Sequence, residues 1–400
     1  FQYTGIGSNN IDASVTFAAQ ALELGLAVAI CDEGLESAGR AFARGSVLVR
    51  AHENAANAAQ QVERAAQFAG VEVTATTSAR APGEGHDLGG QHFQLLARPR
   101  VALLSNAPVS SDSFGHLWHQ LDRVLGLPVS LLDAQDLGGY DLRRYNVLVL
   151  PPAGGMRGVI EPLADELKAW VRSGGTLIAI GGSAASLCDT ELGFSAVLPR
   201  AKVLEKLEEY RFEAGRERAG QTPSIDEGAV WDGPQSAADK LAKAADDAKA
   251  NNDARKDDDD KKADSVTDAE REERWMQRFS PAGAFLRGFV RNDQWITCGA
   301  TDELPVYFEG SLSLWSRSPV TTAVRFAPAE QLRLSGLLWP EARERLADSA
   351  YLTVERMGNG QVILFAAQPG FRGYHAATGR LFANAVVYGP GVGANPARQH

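Results

Sequence analysis

Short apolar runs alternate with amphipathic stretches from residue 98 onward. Each run is four or five residues long and almost wholly apolar, as in strands buried on both faces of a parallel sheet. The strand runs are 100–104, 129–132, 146–150 and 176–180, and the helical patterns are 111–125 and 160–171. Right-handed crossovers between these strands predict a doubly wound, mostly parallel sheet of the flavodoxin kind.

A smaller unit precedes this pattern, at residues 1–97. Helical patterns close at Gly25 and Gly70, and three short apolar runs lie around them. The helical patterns are 14–24 and 53–69, and the strand runs are 26–30, 44–49 and 71–74. Because helix and strand alternate, we expect a small α/β domain with a parallel sheet.

A polar insertion interrupts the larger unit at about 202–274. It contains the charged run 256–262, in which four aspartates lie between lysines. Such a segment buries little apolar area, so disorder or a solvated helix is expected. The aspartates lack the alternate spacing and turn glycine of a calcium loop, and we expect no ion there.

The sheet pattern resumes after the insertion. Strand runs lie at 306–308, 322–326, 351–354 and 361–365, with a hairpin turn at 357–360 and a last helix over 378–388. Residues 98–390 are therefore predicted to form one domain that leaves its sheet and returns to it, followed by a tail at 391–400.

Composition limits the possible functions. The formal charge of −10 argues against a nucleic-acid partner, and no apolar stretch is long enough for a membrane span. Three cysteines are too few for a disulfide scaffold. The chain begins at Phe1 without a signal-peptide pattern, which we interpret as a processed product or a fragment.

The turn after the run 176–180 is the most enzyme-like local feature. Gly181, Gly182 and Ser183 follow a strand, and such a strand-to-helix turn can expose a nucleophile beside backbone donors. Ser183 or Cys188 are weak candidates for a nucleophile, and His116 or His375 for its base. Neither histidine stands in a recognisable partner position. We therefore predict a structural turn and no catalytic residue.

Glycines at the carboxyl ends of the strands are candidates for ligand binding. Open α/β sheets bind ligands at this edge, and glycines there can offer backbone N–H groups to an anion. The candidate residues are Gly154, Gly155, Gly181, Gly182 and Ser183. A loop that must turn sharply explains the same glycines without a ligand.

A metal site is not expected in this chain. His116 and His119 are three apart on a predicted helix, a spacing that suits a metal, but no glutamate completes a zinc motif. The other histidines form no obvious second pair.

Three stretches carry a resemblance to a known family. They are VALL at 101–104 with SSDSFGHLWH at 110–119, WVRSGGTLIA at 170–179, and QPGFRGY at 368–374 with RLFANA at 380–385. Together they resemble the C-terminal region of large bacterial zinc carboxypeptidase-like proteins, in which a class I glutamine amidotransferase-like domain follows the peptidase. Residues 1–97 resemble the segment that connects the two.

The resemblance implies an accessory role. No His-x-x-Glu zinc motif occurs in this chain, so zinc is expected only in a peptidase domain that would lie before Phe1, the implied partner. Ser183 stands where active amidotransferases of that family have cysteine, so we expect no release of ammonia from glutamine. A secreted or periplasmic location is implied by the resemblance alone.

Three functions stay open. We favour a non-catalytic accessory module that binds a small ligand, peptide or glycan at the carboxyl edge of the sheet. The first alternative is a hydrolase or amidotransferase-like enzyme that uses Ser183 or Cys188. The second is an interaction module tethered through the Asp/Lys insertion.

Overall fold

The computed structural model describes residues 3–6, 11–80, 86–221, 262–373 and 375–395. The first unit is built from two helices and seven short strands. They are β1 (Tyr3–Ile6), α1 (Ile11–Glu23), β2 (Val28–Cys31), β3 (Leu35–Ser37), β4 (Arg40–Phe42), β5 (Val47–Arg50), α2 (Ala58–Ala69), β6 (Thr74–Thr76) and β7 (Phe93–Leu95).

The sheet of this first unit corrects the sequence prediction. Its strand order is β6-β1-β5-β2-β7 and each of these neighbours pairs antiparallel, whereas we predicted a parallel sheet. The reason is the hairpin formed by β3 and β4, whose turn residues Ala38 and Gly39 both have positive φ. That turn belongs to the class that suits tight hairpins. No helix separates β2 from β5, so the chain returns antiparallel.

The second unit begins with alternating strands and helices. Its first half comprises β8 (Val101–Ser105), α3 (Ser111–Trp118), β9 (Val129–Asp133), β10 (Val147–Leu150), α4 (Met156–Ile160), α5 (Ala164–Arg172), β11 (Thr176–Ile180), α6 (Gly182–Leu187), β12 (Leu198–Pro199) and α7 (Leu207–Gln221). A π-helical turn, His119–Val124, continues α3.

Further strands follow the gap between residues 221 and 262 in the described chain. This half comprises α8 (Lys262–Met276), β13 (Ala282–Val290), β14 (Glu303–Glu309), β15 (Leu314–Trp315), β16 (Thr321–Phe326), β17 (Arg333–Gly336), α9 (Pro340–Leu346), β18 (Ala350–Met357), β19 (Gly360–Phe365) and α10 (Ala376–Val387). Met357 pairs with Gly360, so the predicted hairpin turn is confirmed.

Five parallel strands form the centre of the large sheet. Their spatial order is β9-β8-β10-β11-β19, and all four pairings are parallel. Numbered along the chain this is 2-1-3-4-5, the flavodoxin-like doubly wound order. The predicted fold class is thereby confirmed: an amidotransferase-like or flavodoxin-like α/β sheet preceded by a smaller α/β unit.

Antiparallel strands extend this sheet beyond β19. The order continues β18-β16-β13-β14, with each strand antiparallel to its neighbour. The nine-residue strand β13, which the sequence did not predict, alternates buried and half-exposed positions over most of its length. Such alternation is typical of a sheet with one face on the core.

The ends of the polar insertion differ from the expectation of a disordered segment at about 202–274. Helices α7 and α8 lie inside those limits; the ring of Tyr210 in α7 meets that of Trp315 in β15, and α8 contacts α9. Glu273 is 1% exposed and contacts the guanidinium groups of Arg200 and Arg345. A buried charge with two such partners fixes a helix in place, which is why this end is ordered. Residues 222–261, with most of the charged run, lie outside the described residues.

The two units share one apolar core. Buried side chains of α1, the parallel strands and α10 belong to a single contiguous cluster. The junction also carries polar contacts: Gln20 Nε2 donates to the carbonyl oxygen of Leu125 at 2.6 Å. Arg44 Nη1 donates to the carbonyl oxygen of Gln294 at 2.8 Å.

Among the residues described, no helix has the length and apolarity required to cross a bilayer.

Candidate functional site

The carboxyl edge of the parallel strands is the place where a doubly wound sheet binds ligands. In the order 2-1-3-4-5 the crevice opens between the first and third strands, here β8 and β10. Backbone contacts bridge the loops at this point. Ser110 N donates to the carbonyl oxygen of Pro152 at 3.2 Å, and Val109 forms a β-bridge with Ala153. The loops after β8 and β10 are therefore held against each other.

The turn after β11 has the shape of a nucleophile turn. Strand β11 ends at Ile180, and the next residue, Gly181, has φ 56° and ψ −122° before α6 begins. The nucleophile of a strand-to-helix elbow occupies this strained position. Gly181 has no side chain. A Cβ there would lie 3.5 Å from Pro152 Cβ, an ordinary contact, so the missing nucleophile reflects residue identity and not lack of space.

Ser183 lies two residues beyond this position, inside α6. Its side chain is 0% exposed, and its Oγ donates to the carbonyl oxygen of Pro151 at 2.5 Å. The sequence aligned Ser183 with the catalytic position, but the structure places it as a buried link between two turns. It cannot reach a substrate at the surface without breaking that hydrogen bond.

Cys188 caps the C-terminal end of α6 and is 2% exposed. Burial raises the pKa of its thiol well above the usual range, and the nearby carboxylate of Glu355 adds to the shift. Since the thiolate is the nucleophilic form, this thiol is inert at neutral pH.

The glycine candidates for ligand binding have structural reasons of their own. A Cβ on Gly182 would lie 2.3 Å from the carbonyl oxygen of Ala153, so the two turns approach too closely for any other residue. Gly155 has φ 80°, and both Gly154 and Gly155 are exposed. The predicted anion site stays a prediction.

The guanidinium group of Arg157, close in sequence to Gly154 and Gly155, is already paired with carboxylates. Arg157, in α4, contacts Asp189 and binds Glu191 at 2.7 Å and Glu161 at 3.1 Å. Three carboxylates around one guanidinium leave it poorly suited to recognise an anionic ligand.

The two candidate bases, His116 and His375, lie beside the loop that follows β19. Among the described residues, neither forms a hydrogen bond with Ser183 or Cys188. The ring of His116 meets that of Phe371 edge-on at 5.8 Å. His375 Nδ1 forms a hydrogen bond with Thr378 Oγ1 at 2.8 Å. Burial lowers the pKa of both histidines, so both are neutral at physiological pH. The structure therefore does not assemble a nucleophile–base pair from these residues.

A small cavity lies where the two units meet. Its volume is ≈ 140 Å³, and its walls come from α1, the π-helical turn and the start of α10. The polar side chains in the wall belong to Thr16, His119, Gln120, His375 and Arg380. A mostly apolar cavity with a few convergent polar groups is the usual form of a small-molecule site. The sequence could not predict it, because its three walls are far apart along the chain.

A histidine–carboxylate cluster in the first unit was also missed. Among the described residues one group of at least three potential metal ligands converges: Glu33, His86 and His92 have ligand atoms within 4.8 Å of one another. His116 and His119, the pair considered from sequence, are not part of it. The sequence signal was weak: Glu33 lies three positions after the apolar run 26–30.

Comparison with known proteins gives distant similarities. No protein-family model matches the chain, and no curated protein matches it by sequence. A candidate GMP synthase component from Thermoplasma acidophilum is 10% identical, with a TM-score of 0.37 over 72% of this chain and 92% of its own. A ThuA-like protein from Parabacteroides merdae is 8% identical, with a TM-score of 0.38 over 75% and 93%.

A β-galactosidase from Bacillus circulans sp. alkalophilus is 12% identical, with a TM-score of 0.32 over 72% of this chain and 30% of that enzyme. Similarities at this level carry no argument about activity. The strand order described above is what establishes the fold class. The resemblance to zinc carboxypeptidase-like proteins stays a prediction.

Proposed function

We propose that this chain is a non-catalytic accessory module of a zinc metallocarboxypeptidase-like protein. In this proposal a zinc domain outside the chain hydrolyses the peptide, and the amidotransferase-like unit supports it. The observation that carries the non-catalytic part is Gly181, which occupies the nucleophile position of the turn after β11 with no side chain. The peptidase context rests on the sequence resemblance, as does a secreted or periplasmic location.

Two further observations support the absence of catalysis. Two residues could replace the missing nucleophile, Ser183 and Cys188, and both are buried. The hydroxyl of Ser183 also donates a hydrogen bond to the carbonyl oxygen of Pro151. A serine or cysteine nucleophile needs a base within hydrogen-bond reach. The described hydrogen bonds of His375 go to Thr378 and not to either residue. An interaction module tethered through the Asp/Lys insertion stays a prediction, since that segment lies largely outside the described residues.

The cavity at the junction of the two units is our candidate for ligand binding by this module. At ≈ 140 Å³ it would accept a small polar group, such as the end of a peptide or glycan, and not an extended chain. Recognition would fall to the side chains of His119, Gln120 and Arg380. A ligand in this cavity would contact residues of both units.

Covalent labelling tests the non-catalytic assignment. The native chain is treated with a fluorophosphonate and with a glutamine-analogue probe, and ammonia release from glutamine is measured in parallel. We expect no label and no ammonia. The matched control is Gly181→Cys: a Cβ at this position meets Pro152 only at an ordinary contact distance, and the strain of its positive φ is the strain that the nucleophile of such a turn bears. A thiol-directed probe should label this variant at the new cysteine.

Labelling of Ser183 or Cys188 in the native wild-type chain, or glutamine hydrolysis by it, would overturn the assignment. A second measurement tests the peptidase context separately. Carboxypeptidase activity with added zinc is compared between this chain and the longer protein encoded around it. We expect activity only in the longer protein. Inactivity of both would remove the peptidase context and leave the absent nucleophile unaffected.

A further inference from the structure

Two histidines and two carboxylates converge at one corner of the first unit. The rings of His86 and His92 lie with centroids 3.9 Å apart and planes inclined at 37°. His86 Nε2 is 2.7 Å from Glu33 Oε2, and His92 Nδ1 is 2.9 Å from Asp32 Oδ1. Glu33 Oε1 is also 3.8 Å from His92 Nδ1, so one carboxylate reaches both rings.

The sheet register explains this convergence. Strands β2 and β7 pair antiparallel, with Cys31 opposite Phe93. The next pair outward along the ladder is therefore Asp32 opposite His92, and Asp32 N donates to the carbonyl oxygen of His92 at 3.0 Å. Directly opposed residues have their side chains close together. The backbone thus fixes one histidine and one carboxylate, and the loops on either side bring His86 and Glu33.

We propose that Glu33, His86 and His92 form a binding site for a divalent transition metal ion, with zinc as the expected occupant. Two imidazole nitrogens and a carboxylate oxygen are a donor set that zinc prefers, and imidazole also suits nickel, cobalt and copper. The site goes beyond the proposed accessory role and does not depend on it.

The geometry needs only small side-chain movements to close on an ion. Tetrahedral zinc with bonds of about 2.0–2.1 Å holds its ligand atoms roughly 3.4 Å apart. The three ligand atoms here lie within 4.8 Å of one another. Glu33 is exposed and both histidines are half-buried, so the side chains have room to rotate while the backbone stays in place.

Electrostatics and the surrounding contacts favour a cation at this point. Asp32 adds a second negative charge beside His92, and Gln94 Nε2 donates to Asp32 Oδ2 at 3.4 Å. A carboxylate that accepts a hydrogen bond from the ring nitrogen not bound to the ion orients a ligating histidine and strengthens metal binding. Asp32 would act in this way with His92 bound to the ion through Nε2, because Asp32 contacts Nδ1. With three protein ligands at the surface, at least one coordination position would be left to water.

Zinc titration of the untagged full-length chain tests the proposal. Binding is measured by calorimetry and by competition with a chromophoric chelator, and cobalt substitution reports the geometry through its visible absorption. We expect one zinc ion per chain. Glu33→Gln, His86→Ala and His92→Ala should each weaken binding by about tenfold or more.

The control is His52→Ala. His52 is an exposed histidine of the same unit, 3.8 Å from Glu53, and it is not a member of the cluster of Glu33, His86 and His92. This variant should bind zinc as the wild type does. Thermal unfolding in a chelator checks that all four variants fold equally well. If the wild type binds no zinc, or if His86→Ala and His92→Ala bind it with unchanged affinity, the site does not exist.

Discussion

Ser183 donates a hydrogen bond to the carbonyl oxygen of Pro151 across 2.5 Å, and the serine side chain is fully buried. This bond joins the turn after β11 to the turn after β10, at the edge where related folds perform chemistry. The serine that looked most like a nucleophile therefore stabilises the backbone around a position, Gly181, that has no side chain to react.

Replacement of Ser183 by alanine should destabilise the protein. The variant leaves a buried carbonyl oxygen unsatisfied, which costs about 1–3 kcal/mol in the free energy of unfolding. Urea denaturation measures the loss. Ser186→Ala, which removes an exposed bond to Gly182 in the same helix, should stay within about 0.5 kcal/mol. Equal losses for both variants would contradict the role assigned to Ser183.

Removal of Glu273 should be far more costly. Glu273→Ala leaves Arg200 and Arg345 buried without their shared partner, which we expect to cost about 3–5 kcal/mol. Glu270, an exposed glutamate of the same helix, provides the control as Glu270→Gln. Chemical denaturation at neutral pH distinguishes the two. A loss under about 1 kcal/mol for Glu273→Ala would show that the ion-pair cluster does not anchor α8.

The same glutamate should make stability depend on acid. Burial alone would raise the pKa of Glu273, but the hydrogen bonds and charge of Arg345, with Gln277 and Arg200, leave it below the usual range. A lowered folded pKa means that the stabilisation is complete above the ordinary glutamate pKa of about 4.3 and is lost as pH falls through the folded value. Unfolding midpoints of wild type and Glu273→Gln should therefore converge on acidification.

Two histidines, one buried and one half-buried, should make the free energy of unfolding depend on pH in a higher range. Burial lowers the pKa of His375 and of His116, so the unfolded chain binds more protons than the folded one below about pH 6.5. Their contribution to the free energy of unfolding should then decrease as pH falls through that value. Denaturation at about pH 7.5 and about pH 5.5 should show a smaller decrease in the double variant His116→Gln, His375→Gln. An identical decrease would show that neither ring is responsible.

The three thiols should be unreactive in the native protein. Cys31, Cys188 and Cys298 are all buried, and burial raises the pKa of each, that of Cys31 to about 11. A disulfide reagent at about pH 8 should react with none of them before denaturation and with all three afterwards. Rapid reaction of Cys188 in the folded chain would favour the thiol-enzyme alternative.

The parallel half of the fold could be predicted because its signal is local. Strands β8, β10 and β11 are almost wholly buried, so their apolar runs stand out in the sequence, and Pro151 and Gly181 mark the ends of β10 and β11. Strand β9 lies at the edge of the sheet and is mostly half-exposed, but its run is still rich in apolar residues. The antiparallel sheet of the first unit depends instead on the β3–β4 hairpin. Its strands are three residues long, too short to show an alternating pattern.

The sites were harder to predict because they depend on register. The motif Gly181-Gly182-Ser183 alone does not predict which of its residues adopts the strained backbone conformation. That depends on where β11 ends, which the structure places at Ile180. The cluster of His86, His92 and Glu33 depends on the pairing of β2 with β7 across some sixty positions. Neither relationship leaves a pattern in neighbouring residues.

The interleaving of the large sheet has a consequence for how the chain can be divided. Strand β19 lies between β11 and β18, so the pieces 1–221 and 262–400 each hold part of one sheet. Without β19, the wholly buried strand β11 would become an apolar sheet edge, which favours aggregation. Glu217 and Arg325, one in each piece, are also paired at 2.6 Å. A cut between positions 221 and 262 should therefore leave a tightly associated heterodimer, and the two pieces should fold only when produced together.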